Sequence, residues 1–113
     1  MKIDSYRFGR IVIDGKVHTS DVIIYPEDVN SSWWRREGHR LYIDDIKEIL
    51  DGDFDVLVVG TGDPGLLTVS DEAKQEIKNK NMELIIEPTE KACRIYNELS
   101  EQKKVVAALH LTC

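Results

Sequence analysis

Two short segments of this chain are apolar on both of their alternating faces. Phe54 to Val59 is a near-continuous, valine-rich apolar run bounded by glycines, and Val105 to Leu109 contains no polar side chain at all. Strands with this pattern are covered on both sides, as in the parallel sheets of α/β proteins. We therefore predict a sheet between layers of helix, with the final strand in its centre.

Local signals predict the helices that alternate with these strands. Apolar residues at helical spacing predict a short helix that ends at Gly52. A second helix is expected over about residues 70 to 80, with Ser70 or Thr68 as its N-cap, and a strand follows from Met82 to Ile86. Pro88-Thr89 opens a third helix that extends to about residue 102, with Thr89 as its cap.

The first third of the chain has the signals of β structure. Asp14-Gly15 predicts a β-hairpin between the segment from Tyr6 to Ile13 and a return strand at Lys16 to His18. A further strand over residues 21 to 24 stops at Tyr25-Pro26. Residues 26 to 42 show neither the strand nor the helix period, so we predict a long loop there. The order of elements predicts one α/β domain over residues 1 to 113, with helices on a largely parallel sheet.

Charge and composition exclude several classes of function. The chain carries 15 basic and 21 acidic side chains, for a net charge of −6. It lacks the excess of positive charge that binds phosphate backbones, so we expect no nucleic-acid partner. No apolar run reaches membrane-spanning length and the first residues lack a secretory signal, which predicts a cytoplasmic protein without a membrane partner. The histidines and cysteines have no zinc spacing, so we expect no metal and no cofactor.

Both tryptophans lie in one polar loop, in the run Trp33-Trp34-Arg35-Arg36, with His39-Arg40 close behind. Trp and Arg dominate binding hot spots because they bury large areas and donate directed hydrogen bonds. We therefore take five side chains as candidates for binding a protein partner: Trp33, Trp34, Arg35, Arg36 and His39. The alternative is that one tryptophan folds back onto the core and the arginines pair with the acidic tract from Asp44 to Asp55.

A glycine-rich loop, Gly60-Thr61-Gly62-Asp63-Pro64-Gly65, follows the first apolar strand and matches the pattern G-x-G-x-x-G. A dinucleotide site needs the next helix to begin inside the glycines, whereas the predicted cap at Ser70 lies five residues beyond them. The loop is therefore predicted to be a turn at the carboxyl end of a strand. Ligands of α/β sheets often lie there, so Gly60, Thr61 and Gly62 are candidates for binding a small anion.

The sequence has no G-x-S-x-G elbow, no P-loop and no metalloprotease motif, so an enzyme is not the favoured class. His110 and Cys113 are three residues apart, which in a strand places their side chains on opposite faces. We expect Cys113 to pack with Leu109 and Leu111 rather than to act as a nucleophile.

From Trp34 onward the chain resembles a widespread family of small α/β proteins of unknown biochemical function. The resemblance is carried by five elements in a fixed order: Trp34-Arg35 with Glu37-Gly38-His39, Asp45 to Glu48, Leu57 to Gly62, Thr89 to Ala92 with Tyr96 to Leu99, and His110 to Cys113. Eukaryotic relatives in that family include an adipogenesis-associated cytosolic protein and a mitochondrial complex I assembly factor. The resemblance implies a three-layer domain with a central mixed sheet of about five strands, helices on both faces, an N-terminal β-hairpin and an antiparallel last strand.

Two hypotheses of function follow. The first is a non-enzymatic protein-interaction or assembly module that uses the loop from Trp33 to Arg40. The second is a small-molecule or anion-binding protein, with or without weak catalysis, that uses the loop from Gly60 to Gly65.

Overall fold

The computed structural model describes residues 1 to 113, which form one α/β domain. The strands are β1 (Ile3–Arg7), β2 (Arg10–Ile13), β3 (Lys16–His18), β4 (Val22–Ile24), β5 (Val29–Asn30), β6 (Arg40–Leu41), β7 (Val56–Gly60), β8 (Thr68–Val69), β9 (Glu83–Glu87) and β10 (Val105–Leu109). The helices are α1 (Lys47–Asp51), which continues a 3-10 turn at Ile43–Ile46, α2 (Asp71–Asn79) and α3 (Thr89–Leu99). No helix is long and apolar enough to cross a membrane.

A mixed sheet of five strands forms the central layer, in the order β5-β4-β10-β7-β9. β7 pairs in parallel with both β9 and β10, because helical crossovers return the chain to the same end of the sheet. The last strand is central, as predicted. Its expected antiparallel direction holds only toward β4, since it runs parallel to β7.

Two apolar layers cover this sheet. Side chains such as Leu57 and Val106 face one core, which also contains residues of α1 and α2. Side chains such as Val58 and Ala107 face the other, which contains residues of α3 and of a three-stranded antiparallel sheet, β1-β2-β3. The predicted hairpin at Asp14-Gly15 joins β2 to β3, and a second tight turn joins β1 to β2. Helices therefore lie on both faces, as predicted.

Two local predictions were wrong. Thr89 is not a helix cap: Pro88 occupies that position, and the buried Thr89 hydroxyl donates to the carbonyl of His110 and accepts from the amide of Gly62. The segment from 26 to 42 is not all loop, because β5 pairs with β4 and β6 pairs with β8. Two-residue strands are too short to show a period in the sequence. The predicted cap Ser70 is confirmed, since its hydroxyl accepts from the amide of Ala73.

Candidate functional site

The candidate binding loop alternates between buried and exposed side chains, beginning with Trp33. Only 7% of this residue is exposed, and its ring packs into the core that contains α1 and α2. The indole Nε1 donates to the backbone carbonyl of Asp45 at 2.9 Å, so its one polar group is satisfied. Trp33 therefore supports the loop from inside.

Arg35 is the second buried member of the loop. Its side chain is 5% exposed and its Nη1 lies 2.8 Å from Asp21 Oδ2, forming a buried ion pair. The Nη2 group donates to the carbonyl of Gly38 at 3.0 Å, and the guanidinium lies 4.6 Å from the centroid of the Trp33 ring. Arg35 thus pairs with Asp21 and not with the acidic tract from Asp44 to Asp55.

Asp21 also binds the C-terminal segment. Its Oδ2 lies 2.8 Å from Nδ1 of His110, and its Oδ1 accepts from the amide of Leu111 at 2.8 Å. The same Nδ1 lies 3.1 Å from Nη2 of Arg35, so the carboxylate, the guanidinium and the imidazole are in mutual contact. Burial alone would raise the pKa of Asp21, but the hydrogen bonds from His110, Leu111 and Arg35 outweigh it and hold that pKa below its usual value.

Trp34 lies between these two anchored neighbours and points outward, with 76% of the residue exposed. Trp33 and Arg35 are each fixed by burial and by hydrogen bonds on the inner side of the loop. The backbone between them therefore has little freedom to turn Trp34 inward. The loop therefore exposes one large aromatic side chain on a backbone that its two buried neighbours hold in place.

The remaining loop cations have separate surroundings. Arg36 stacks over the ring of Tyr42, with 4.1 Å from its guanidinium carbon to the ring centroid. His39 is exposed, and its Nε2 lies 3.6 Å from the sulfur of Cys113. Its ring centroid is 5.9 Å from that of His110. β10 ends at Leu109, so Cys113 lies beyond the last strand and the alternation of side-chain faces assumed in the prediction does not apply to it. Its sulfur therefore lies beside the imidazole of His39.

An open groove of about 480 Å³ lies beside Trp34. Its lining combines apolar and aromatic side chains of β4, the residue after it, the loop and the 3-10 turn with polar side chains of β5, the 3-10 turn and α1: Ile23, Tyr25, Asn30, Trp33, Trp34, Asp44, Asp45, Ile46, Lys47, Glu48 and Asp51. The exposed tryptophan is therefore continuous with a concave surface, a feature that binding sites for side chains share.

The glycine loop is occupied by internal hydrogen bonds. The Thr61 amide donates to the carbonyl of Glu87, and the Gly62 amide donates to the Thr89 hydroxyl. The amide of Asp63 donates to the carbonyl of Thr112. An anion at Gly60, Thr61 and Gly62 could bind these amides only if they gave up their present acceptors. The anion site stays a prediction. Among His, Cys, Asp and Glu side chains, no group of three or more is arranged to hold a metal ion.

Sequence reasoning missed Asp21, which joins the loop to the end of the chain. The residue begins a predicted strand and belongs to no motif, and its partners lie 14, 89 and 90 positions away. Only tertiary contacts identify its role.

Comparison with known proteins identifies a single family for this fold. The model of the family described as "Protein of unknown function (DUF498/DUF598)" matches residues 3–110. The chain is similar to a conserved hypothetical protein of Pyrococcus horikoshii, with 35% identity over 100% of both chains and a TM-score of 0.87. It is also similar to a Bartonella henselae protein described as an outer membrane protein, with 25% identity, 98% and 94% of the two chains covered and a TM-score of 0.84.

A Mth938-like domain from Bordetella pertussis shares the fold at 20% identity. The similarity covers 97% of this chain and 85% of that chain, with a TM-score of 0.75.

Proposed function

The chain belongs to the DUF498/DUF598 family of unknown function, and on that premise we propose that it is a non-enzymatic interaction or assembly module that binds a protein partner through Trp34. The observation that carries the proposal is the outward position of Trp34 between two inward anchors, Trp33 and Arg35. The proposal includes a cytoplasmic location. It also includes a role like that of the complex I assembly factor named among the family's eukaryotic relatives.

The energetics of association support this role for Trp34. An exposed indole gains a large amount of buried apolar area when a partner covers it, and residues of this kind account for most of the binding energy at many interfaces. A side chain that is already held in its binding position loses less conformational freedom on association. Trp33 and Arg35 provide that restraint from the inner side of the loop.

The test is capture of partners from a native lysate of the source cells, with wild type and two variants compared by quantitative mass spectrometry. We expect Trp34→Ala to lose a protein that wild type captures, while Phe8→Ala retains it. Phe8 is the matched control because it is also a large exposed aromatic side chain, 57% exposed, and does not line the groove beside Trp34. Retention of every captured protein by Trp34→Ala would overturn the proposed function.

A further inference from the structure

The groove beside Trp34 has a mixed lining, with buried apolar side chains at its base and charged side chains at its rim. Its floor is formed by buried side chains of Ile23, Trp33 and Ile46, and the partly buried ring of Tyr25 packs against the same core. Trp34 is exposed at its edge. The groove volume of about 480 Å³ is enough for one or two side chains of a bound peptide.

The rim of the groove has an excess of negative charge. Four carboxylates line it, from Asp44, Asp45, Glu48 and Asp51, against the single ammonium of Lys47. None of these five side chains forms an ion pair within the chain.

The four carboxylates differ in their availability. Asp45 accepts from the amides of Arg36 and Tyr42, and Glu48 accepts from the hydroxyl of Tyr25. Asp44 and Asp51 are exposed and accept no hydrogen bond from the chain. These two carboxylates are free to pair with a cation from outside.

We propose that this groove binds a partner segment in which a lysine or arginine stands next to an apolar side chain. The inference rests on the proposed function and names the chemistry of its partner. The apolar side chain enters the floor over Ile23 and Ile46, and the cation lies between the exposed face of Trp34 and the free carboxylates. A cation over an indole is attracted by the ring as well as by the acidic rim, so the two features favour the same partner.

A binding assay with defined peptides tests this inference. The probe is a fluorescein-labelled peptide of eight residues that alternates lysine and leucine, and anisotropy is measured at about 0.15 M salt, where long-range attraction is screened. Two matched peptides replace every lysine by glutamate or every leucine by serine. We expect the lysine-leucine peptide to bind wild type and both matched peptides to bind at least about tenfold more weakly.

Variants of the protein locate the binding. Asp44→Asn combined with Asp51→Asn should weaken the lysine-leucine peptide about threefold to tenfold, as two exposed charge pairs would. Trp34→Ala should weaken it by about tenfold or more. The matched control is Glu98→Gln combined with Glu101→Gln, which removes the same charge at the end of α3 on the other face of the sheet. We expect this control to bind within about twofold of wild type.

Four results would overturn the inference: no binding by wild type at about 1 mM peptide, equal binding of the glutamate or the serine peptide, normal binding by the Asp44→Asn, Asp51→Asn variant, or equal weakening by the charge control. Equal weakening by the charge control would mean that the peptide binds only through attraction to the net charge of −6. If the Asp44→Asn, Asp51→Asn variant binds the peptide normally while Trp34→Ala still loses its captured protein, the proposed cationic partner is wrong. The proposed interaction function is then retained. If Trp34→Ala retains every captured protein, the proposed function itself fails.

Discussion

Asp21 connects three parts of the molecule that are far apart in the chain. One carboxylate oxygen lies against Arg35 of the tryptophan loop and His110, and the other accepts from the amide of Leu111. The same residue's carbonyl accepts from the amide of Trp33 at 3.1 Å. A single side chain at the start of β4 therefore fixes both the loop that bears Trp34 and the C-terminal segment.

Asp21→Asn should lower the free energy of unfolding at neutral pH by about 3 kcal/mol, because it leaves the buried Arg35 guanidinium without its counter-charge. The folded pKa of Asp21 is lowered, so its stabilisation is present above the ordinary aspartate value and is lost as pH falls toward the folded value. The variant should therefore lose less stability than wild type between about pH 5 and pH 3.

Urea unfolding across that pH range measures the effect, with Asp53→Asn as the control at an exposed carboxylate in the turn after α1. Equal slopes of stability against pH for wild type and Asp21→Asn would contradict the role assigned to this ion pair.

The two cysteines should differ in reactivity. Burial, with a smaller contribution from Glu90, raises the pKa of the Cys93 thiol to about 12, whereas Cys113 is partly exposed beside His39. Iodoacetamide should therefore add one group to the native protein, at Cys113, because the thiolate is the reactive form and Cys93 is also shielded. Mass spectrometry of the native, the unfolded and the Cys113→Ser protein measures this, and rapid native labelling of Cys93 would contradict it.

At the scale of elements, the end of the chain packs onto the glycine loop. The amides of Asp63 and Leu66 donate to the carbonyls of Thr112 and Cys113, and the amide of His110 donates to that of Gly60. The Thr89 hydroxyl joins the same two segments from the start of α3. These contacts give the loop after β7 a structural role, as the support for residues 110 to 113.

Gly62→Ala should cost a few kcal/mol of stability. Gly62 has a φ of +101°, and an added Cβ would overlap the carbonyl oxygen of Thr112. Gly38→Ala is the matched control, because no atom lies within 4 Å of a Cβ there, and its stability should stay within about 1 kcal/mol of wild type. Thermal melts of both variants test the pair, and equal melting temperatures would show that the loop does not hold the C-terminal segment in this way.

Val106→Asp should prevent folding. Val106 is fully buried in β10, between β4 and β7, and a carboxylate there has no partner and costs several kcal/mol or more. Ile86→Asp in the edge strand β9 is the control, because that residue is 36% exposed and the protein should still fold. A soluble Val106→Asp protein with a cooperative melt would contradict a central position for β10.

Local patterns in the sequence predicted the central strand of the molecule and one helix cap. The apolar pattern of Val105 to Leu109 predicted the centre of the sheet, and Ser70 was recognised as a cap from its place before a helix. The roles of Thr89 and Asp21 could not be predicted, because they are decided by contacts with residues 14 to 90 positions away in the chain. The Trp and Arg content of the loop from Trp33 to Arg40 predicted a binding loop. Which of its two tryptophans is buried depends on the tertiary contacts of the neighbouring residues.

Acrylamide quenching of tryptophan fluorescence measures whether the loop buries Trp33 and holds Trp34 outward. Trp33→Phe leaves Trp34 as the only fluorophore, and Trp34→Phe leaves Trp33. With residue exposures of 76% and 7%, the quenching constant of Trp34 should be several times that of Trp33 in the folded protein, and the two should become equal in denaturant. Equal quenching of the two variants in the folded state, or stronger quenching of Trp33, would contradict the account.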